Sequence, residues 1–360
     1  NNNEFAKVKE NNEDFANYLQ FNLMSNFIDN LGTSGRSNSS RGSKKFSRTI
    51  TDSPKSEQNL RDILKSASVK MKVTASKDIR KHYKVNDKVF SKSLNDIDKC
   101  TSSGNPGIHF IQSSEVRTLE DIGCWNIDIF GVSEVSNGHP ILTVVHNIFK
   151  QDLEVGEFTT STLLRDLEVN EEKFFRYVQV IESQMHPENV YHNAVHVADV
   201  VHNMLWLLTK GEMAAKLGLS KFEVFTSLFA CMIHDFDHPG VSNDFLVRTS
   251  DKRAVLYNNQ SVNENWHVAQ AFGLLNECHE EISWDESWTE DCLFKFRKLC
   301  VSMVLATDMS RHFELLGKFR NRVVSSPNAE EAFNPLDAKD RETVLVMAIK
   351  ACDIATQGKE

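Results

Sequence analysis

The stretch from Lys221 to Gly240, KFEVFTSLFACMIHDFDHPG, constrains the fold of this 360-residue chain more than any other. Its first half has the apolar content of a helix buried on most of its faces. It then runs into two histidines and two aspartates within residues 234–238. Such groups are costly to bury unless they meet partners, so other parts of the chain must converge on the end of this helix.

Two further segments offer those partners. In YHNAVHVADV, His192 and His196 stand four apart, which predicts one shared helical face, with Asp199 three residues beyond. In VLVMAIKACDI, Asp353 ends an apolar helical pattern where a lone charge would be unfavourable. Taken singly, each of these residues is more often a hydrogen-bonded core group than a ligand. As a set, two imidazoles and two carboxylates suit a borderline or hard divalent cation.

Bulk properties narrow the field. With 41 Lys and Arg against 50 Asp and Glu, the net charge of −9 argues against a nucleic-acid partner. The seven cysteines are scattered and include no C-x-x-C pair, as in a reducing, cytoplasmic setting. No apolar run approaches the roughly 18 residues of a membrane span, and NNNEFAKVKE is no signal peptide. The chain begins with Asn and ends soon after Asp353, so it reads as a fragment of a longer parent.

Residues 1–117 are rich in Asn, Ser and Lys, and are expected to form a largely disordered regulatory or linker region with short helices at 15–31 and 59–73. Lys44 and Lys45 precede Ser47 in a pattern that basophilic kinases read, and Ser53-Pro54 suits proline-directed ones; a solvated linker is the simpler reading of both. From 118 to 360 the composition is that of a packed domain. Helices are expected at 170–185, capped by Asn170, at 194–210 and at 221–235, where Pro239-Gly240 would stop the chain's helical course. Further helical patterns occupy 262–275, 289–306 and 340–353, and alternating strand patterns are nearly absent, so the fold class is all-α.

The order H-x3-H, HD, then a late Asp resembles the HD superfamily of metal-dependent phosphohydrolases. YHNAVHVADVV, HDFDHPGVSNDFL, LYNNQSVNENWH and VLATDMSRHFELL are similar to the successive signatures of class I 3′,5′-cyclic-nucleotide phosphodiesterases, and WNIDIFGVSEVSNGHPILTVV to the start of their catalytic domain.

That resemblance implies a multi-helix catalytic domain with two divalent cations. His196, His234, Asp235 and Asp353 would bind the first, zinc, while Asp235 would also reach a second, magnesium or manganese. His238, Glu264 and Thr307 would orient waters around the second cation, with Asp199 as a further supporting group. Hydroxide activated by the two cations would attack phosphorus of cAMP or cGMP, and His192 would protonate the leaving 3′ oxygen. Tyr191, Asn243, Asp308, Met309 and Ile354 match positions lining the nucleotide pocket. Asp237 reads as a solvent-facing turn carboxylate, and His202, His267 and His312 as structural or surface residues.

The chain departs from the family pattern in stopping seven residues after Asp353, before the expected glutamine and phenylalanine that recognise the purine. The reading is therefore of a C-terminally incomplete catalytic domain, with a homodimer as one admissible assembly. Its rivals are another HD-type hydrolase and a non-catalytic, metal-stabilised binding module.

Overall fold

The computed structural model describes residues 122–277, 279–327 and 331–355. The expected N-terminal region 1–117, with Ser47 and both of its amphipathic stretches, lies outside them, as do the last five residues. Among the described residues the architecture is all-α, with eight helices of eleven residues or more. They are α1 (Pro140–Lys150), α2 (Glu171–Ser183), α3 (Ala194–Leu208), α4 (Lys221–Ile233), α5 (Val262–Glu277), α6 (Glu290–Val304), α7 (His312–Val324) and α8 (Ala338–Ala355). Strand is confined, among these residues, to a two-residue antiparallel pair, β1 (Glu154–Val155) and β2 (Phe158–Thr159).

Local chemistry sets the helix starts. Asn170 caps α2 by accepting from Lys173 N, and Ser220 and Glu223 form a reciprocal capping box on α4. Proline at the first position opens α1, where its missing N–H costs nothing. Neither α1 nor α7 follows from the expected helical pattern.

Helix α4 is the centre of the fold. Its ten residues Val224–Ile233 are all buried, so it is enclosed on every side. It packs on α3, α5, α6 and α8, while α3 also packs on α1 and α8. Aromatic rings fill the space around the N-terminal half of α4: Phe225 lies against Phe149, Phe174, Trp284 and Phe296 at centroid distances of 5.5–6.0 Å. The buried Tyr177 joins this cluster through Phe229 and donates its hydroxyl to Ala271 O at 3.0 Å. With one end of α4 anchored in this core, the other end carries His234 and Asp235 to a fixed position.

The termination of α4 differs from expectation. The helix ends at Ile233 with His234 as its C-cap, six residues before Pro239-Gly240. Two tight turns follow, closed by Phe236 N to Ile233 O and His238 N to Asp235 O, and Asp237 takes a left-handed φ of 55°. A left-handed residue halts helical hydrogen bonding before the proline is reached.

Candidate metal centre

Three helices deliver the first cluster. His196 comes from the first turn of α3, His234 from the end of α4 and Asp353 from the last turn of α8. Asn193 fixes the start of α3 by accepting from Val195 N and His196 N. His192 therefore precedes the helix and does not share a helical face with His196, contrary to the sequence expectation.

The ligand-type atoms face one another. His196 Nε2 is 3.1 Å from Asp353 Oδ1, 3.4 Å from His234 Nε2 and 3.5 Å from Asp235 Oδ2. His234 Nε2 is 3.6 Å from Asp235 Oδ2 and 3.5 Å from Asp353 Oδ1. Four ligands held about 2.0–2.2 Å from one tetrahedral cation would lie about 3.3–3.6 Å apart, so the donor set fits such an ion.

Protonation chemistry agrees. His234 Nδ1 donates to Cys231 O at 2.7 Å, leaving Nε2 as the atom turned to the cluster. Burial opposes charge on this ring, yet the Asp235 and Asp353 carboxylates outweigh it and push the His234 pKa up to about 9. Asp353 is held far below the usual carboxylate range: burial opposes this, but hydrogen bonds from His196 and His234 prevail. Asp235 Oδ2 is buried without a hydrogen-bond partner. The cluster attracts positive charge, as a cation site must.

Asp235 joins this cluster to a second. Its Oδ2 faces His196 and His234, and its Oδ1 lies 3.9 Å from His267 Nε2. Asp235, His238 and His267 form a second group with metal-ligating potential. The two imidazoles differ in tautomer. His267 Nδ1 donates to Phe236 O at 2.5 Å, so Nε2 offers a lone pair to the site. His238 Nδ1 accepts from Gly240 N at 3.0 Å, so a neutral His238 carries its proton on Nε2, where it suits donation to water rather than ligation. Burial lowers the pKa of His238 to about 4 and of His267 to about 3. His267, read from the sequence as structural or surface, thus stands at the site. Its backbone partner, 31 positions away, leaves no mark in the sequence.

His192 lies at the rim, half-buried. Its ring stacks on His238 at 4.0 Å and 14°, with the His196 ring 6.1 Å away. Glu264, in the first turn of α5, accepts from Asn243 Nδ2 at 2.9 Å. Burial, reinforced by the charge of Asp308, pushes its pKa up to about 7. Thr307 is buried and donates to Val304 O at 2.8 Å. Asp199 is fully buried in α3, beside Asn203.

The expected pocket residues divide into two sets. Tyr191, Met309 and Ile354 are exposed and available to a ligand. Asn243 is committed inside the protein: its amide nitrogen serves Glu264 and its oxygen accepts from Asn263 N at 2.8 Å. Asp308 is buried, capping Ser310 N at 2.8 Å and accepting from Ser261 Oγ at 2.7 Å. The polar atoms of these two side chains are thus engaged within the protein. Asp237 lies in a turn as expected and its side chain is 33% exposed, but its two oxygens have partners, accepting from His186 Nε2 and Trp266 Nε1, both at 2.9 Å.

This helical domain brings together two adjoining His/Asp clusters, the first from the ends of α3, α4 and α8 and the second from the loop after α4 and from α5, an arrangement of the HD type with the donors of a divalent-cation site. Residues 191–360 match the family described as 3′5′-cyclic nucleotide phosphodiesterase, and this part of the chain is a class I cyclic-nucleotide phosphodiesterase catalytic domain. The chain is similar to 3′,5′-cyclic-AMP phosphodiesterase 4C of Rattus norvegicus, 34% identical over 244 residues that cover 68% of this chain and 43% of the relative. It is equally similar to the Mus musculus protein of that name, 34% identical over 244 residues, or 68% of this chain and 34% of the relative. The chain thus matches less than half the length of either. No helix among the described residues is long and apolar enough to cross a membrane.

Proposed function

We propose that this chain hydrolyses 3′,5′-cyclic nucleotides to nucleoside 5′-monophosphates with the help of divalent cations. The observation that carries this reading is the mutual spacing of His196, His234, Asp235 and Asp353, beside an imidazole, His192, that is not part of the ligand set. Zinc at these four residues and magnesium or manganese beyond Asp235 are the cations the reading assigns. Bound there, they would offset the phosphodiester charge and lower the pKa of a water.

The chain's own residues do the rest. Asp235 presents one oxygen to each cluster and so fixes their separation. His238, with its proton on Nε2, and Glu264 orient solvent. The stack of His192 on His238 restricts the imidazole that protonates the 3′ oxygen. Tyr191, Met309 and Ile354 supply the outer wall for the nucleoside. The reading assigns cAMP or cGMP as substrate and the cytoplasm as location.

The test is hydrolysis of cAMP and cGMP by the purified chain, with zinc and magnesium and then with a chelator. Chelator-sensitive release of 5′-monophosphate is expected. Asp353→Ala should lose both zinc and turnover, whereas His192→Asn should keep zinc and lose turnover. Retained zinc with no turnover in the unaltered chain would reduce the site to a structural role.

A further inference from the structure

Lys350 lies on α8 one turn before Asp353, and it is only 2% exposed. Lysines are seldom buried this far unless the ammonium has partners. Its Nζ donates to Ala306 O at 3.1 Å, with Asp308 O at 3.5 Å and Met309 Sδ at 3.6 Å. All three acceptors belong to the turn that leaves α6, and this turn carries Thr307, Asp308 and Met309.

The turn has other restraints at its base. Thr307 is tied to Val304 O, Arg311 Nη1 donates to Leu305 O at 3.2 Å, and the Asp308 carboxylate holds Ser310 and Ser261. These bonds fix the turn's internal shape, and the Ser261 bond ties it to the segment just before α5. Lys350 links it to the helix that carries a metal ligand. Met309, by contrast, is 58% exposed at the outer end of the turn. Burial pushes the Lys350 pKa down, while the Asp353, Asp308 and Glu264 carboxylates oppose that shift. The ammonium therefore sits where the two halves of the site meet.

We propose that Lys350 is a positioning residue, holding the Ala306–Met309 turn against α8 and so fixing the Met309 wall of the nucleotide pocket relative to the metal centre. The substrate part of this proposal rests on the phosphodiesterase reading above. The tether itself does not.

The test compares the whole chain with Lys350→Met, which keeps length and removes the donors, with Lys350→Arg, which keeps them, and with the neutral Lys350→Gln. Carrying both neutral variants keeps the test readable if one does not fold. Amide hydrogen exchange read by peptide mass spectrometry should accelerate in 305–312 in the neutral variants, with α4 protection unchanged. The KM for the cyclic nucleotide should rise about tenfold with kcat within about twofold, since binding geometry rather than the chemical step is affected. Lys350→Arg should restore both. Exchange in 305–312 equal to that of the unaltered chain overturns the tether. Local acceleration with an unchanged KM in an active chain overturns the link to the pocket. An unaltered chain without turnover defeats the phosphodiesterase reading, while the exchange data still decide the tether.

Discussion

The rings of His192 and His238 stack 4.0 Å apart and within 14° of parallel, and one side chain secures both of their backbones. Asn189 Nδ2 donates to His192 O at 3.0 Å and to His238 O at 2.8 Å. The segment before α3 is thereby clamped to the loop after α4.

This clamp yields the first prediction. Asn189→Ala leaves two carbonyls without their donor and releases His192 from its neighbour. Turnover should fall about 10- to 100-fold while zinc content is retained, read by steady-state kinetics alongside metal analysis. Gly240→Ala should do the same by another route: its φ is +74°, and an added Cβ would overlap Asn189 Oδ1. Full activity in both variants would show that the clamp is dispensable.

Metal removal should lower stability as well as activity. A cation bound at about 100 times its Kd adds about 2.7 kcal/mol, so chelation should lower the Tm by about 5–10 °C for a domain of this size. Readdition of zinc should reverse the shift. In Asp235→Asn, which weakens the residue shared by both clusters, the chelator should have a smaller effect on Tm. Identical thermal shifts in this variant and the unaltered chain would contradict the shared-ligand assignment.

Acid should destabilise the domain through His146, far from the metal residues in sequence. Burial, and then the charge of Lys150, lower its pKa from 6.5 to about 4, with Glu171 opposing. The unfolded chain takes up a proton near pH 6.5 and the folded chain only near 4, so stability falls as pH drops through that window. Allowing for the partly solvated ring, the loss is about 1–2 kcal/mol. His146→Gln should be flatter than the unaltered chain between pH 6.5 and 4 in urea titrations, and parallel to it above pH 7.

Glu223 ties the N-terminus of α4 to that of α8. It completes the capping box with Ser220 and accepts from Arg341 Nε at 2.7 Å. Glu223→Ala should cost about 1–2 kcal/mol in denaturant unfolding and leave kcat unchanged. A large fall in kcat at full stability would mean that this distant pair shapes the site.

Much of the fold was legible because helix signals are local. Asn170 and Ser220 mark the starts of α2 and α4 by side-chain bonds to residues three positions on. The convergence of the His/Asp set was legible because groups this costly to bury need partners. The start of α3 was read correctly at residue 194, but His192 was placed on a helical face with His196 since four-residue spacing suits a helix or a turn equally, and the Asn193 cap leaves His192 in the turn. His267 and Lys350 were missed for a common reason: their roles depend on backbone carbonyls 31 and 44 residues away, which side-chain identities do not encode. Helix α1 was detectable in principle, since Pro140 at the first turn is a start signal.

The bond from His196 to Asp353 spans 157 residues. On a ribosome, His196 and His234 emerge well before Asp353. At about 5–20 residues per second, the wait from His234 to Asp353 is roughly 6–24 s. During that interval two imidazoles and one carboxylate are present without the Asp353 carboxylate, and the end of α4 lacks the helix that will cover it. On the proposed reading, a divalent cation would then be held only loosely. The arrival of α8 would complete this set and cover the end of α4 in one event, so cation capture and the docking of α8 would coincide.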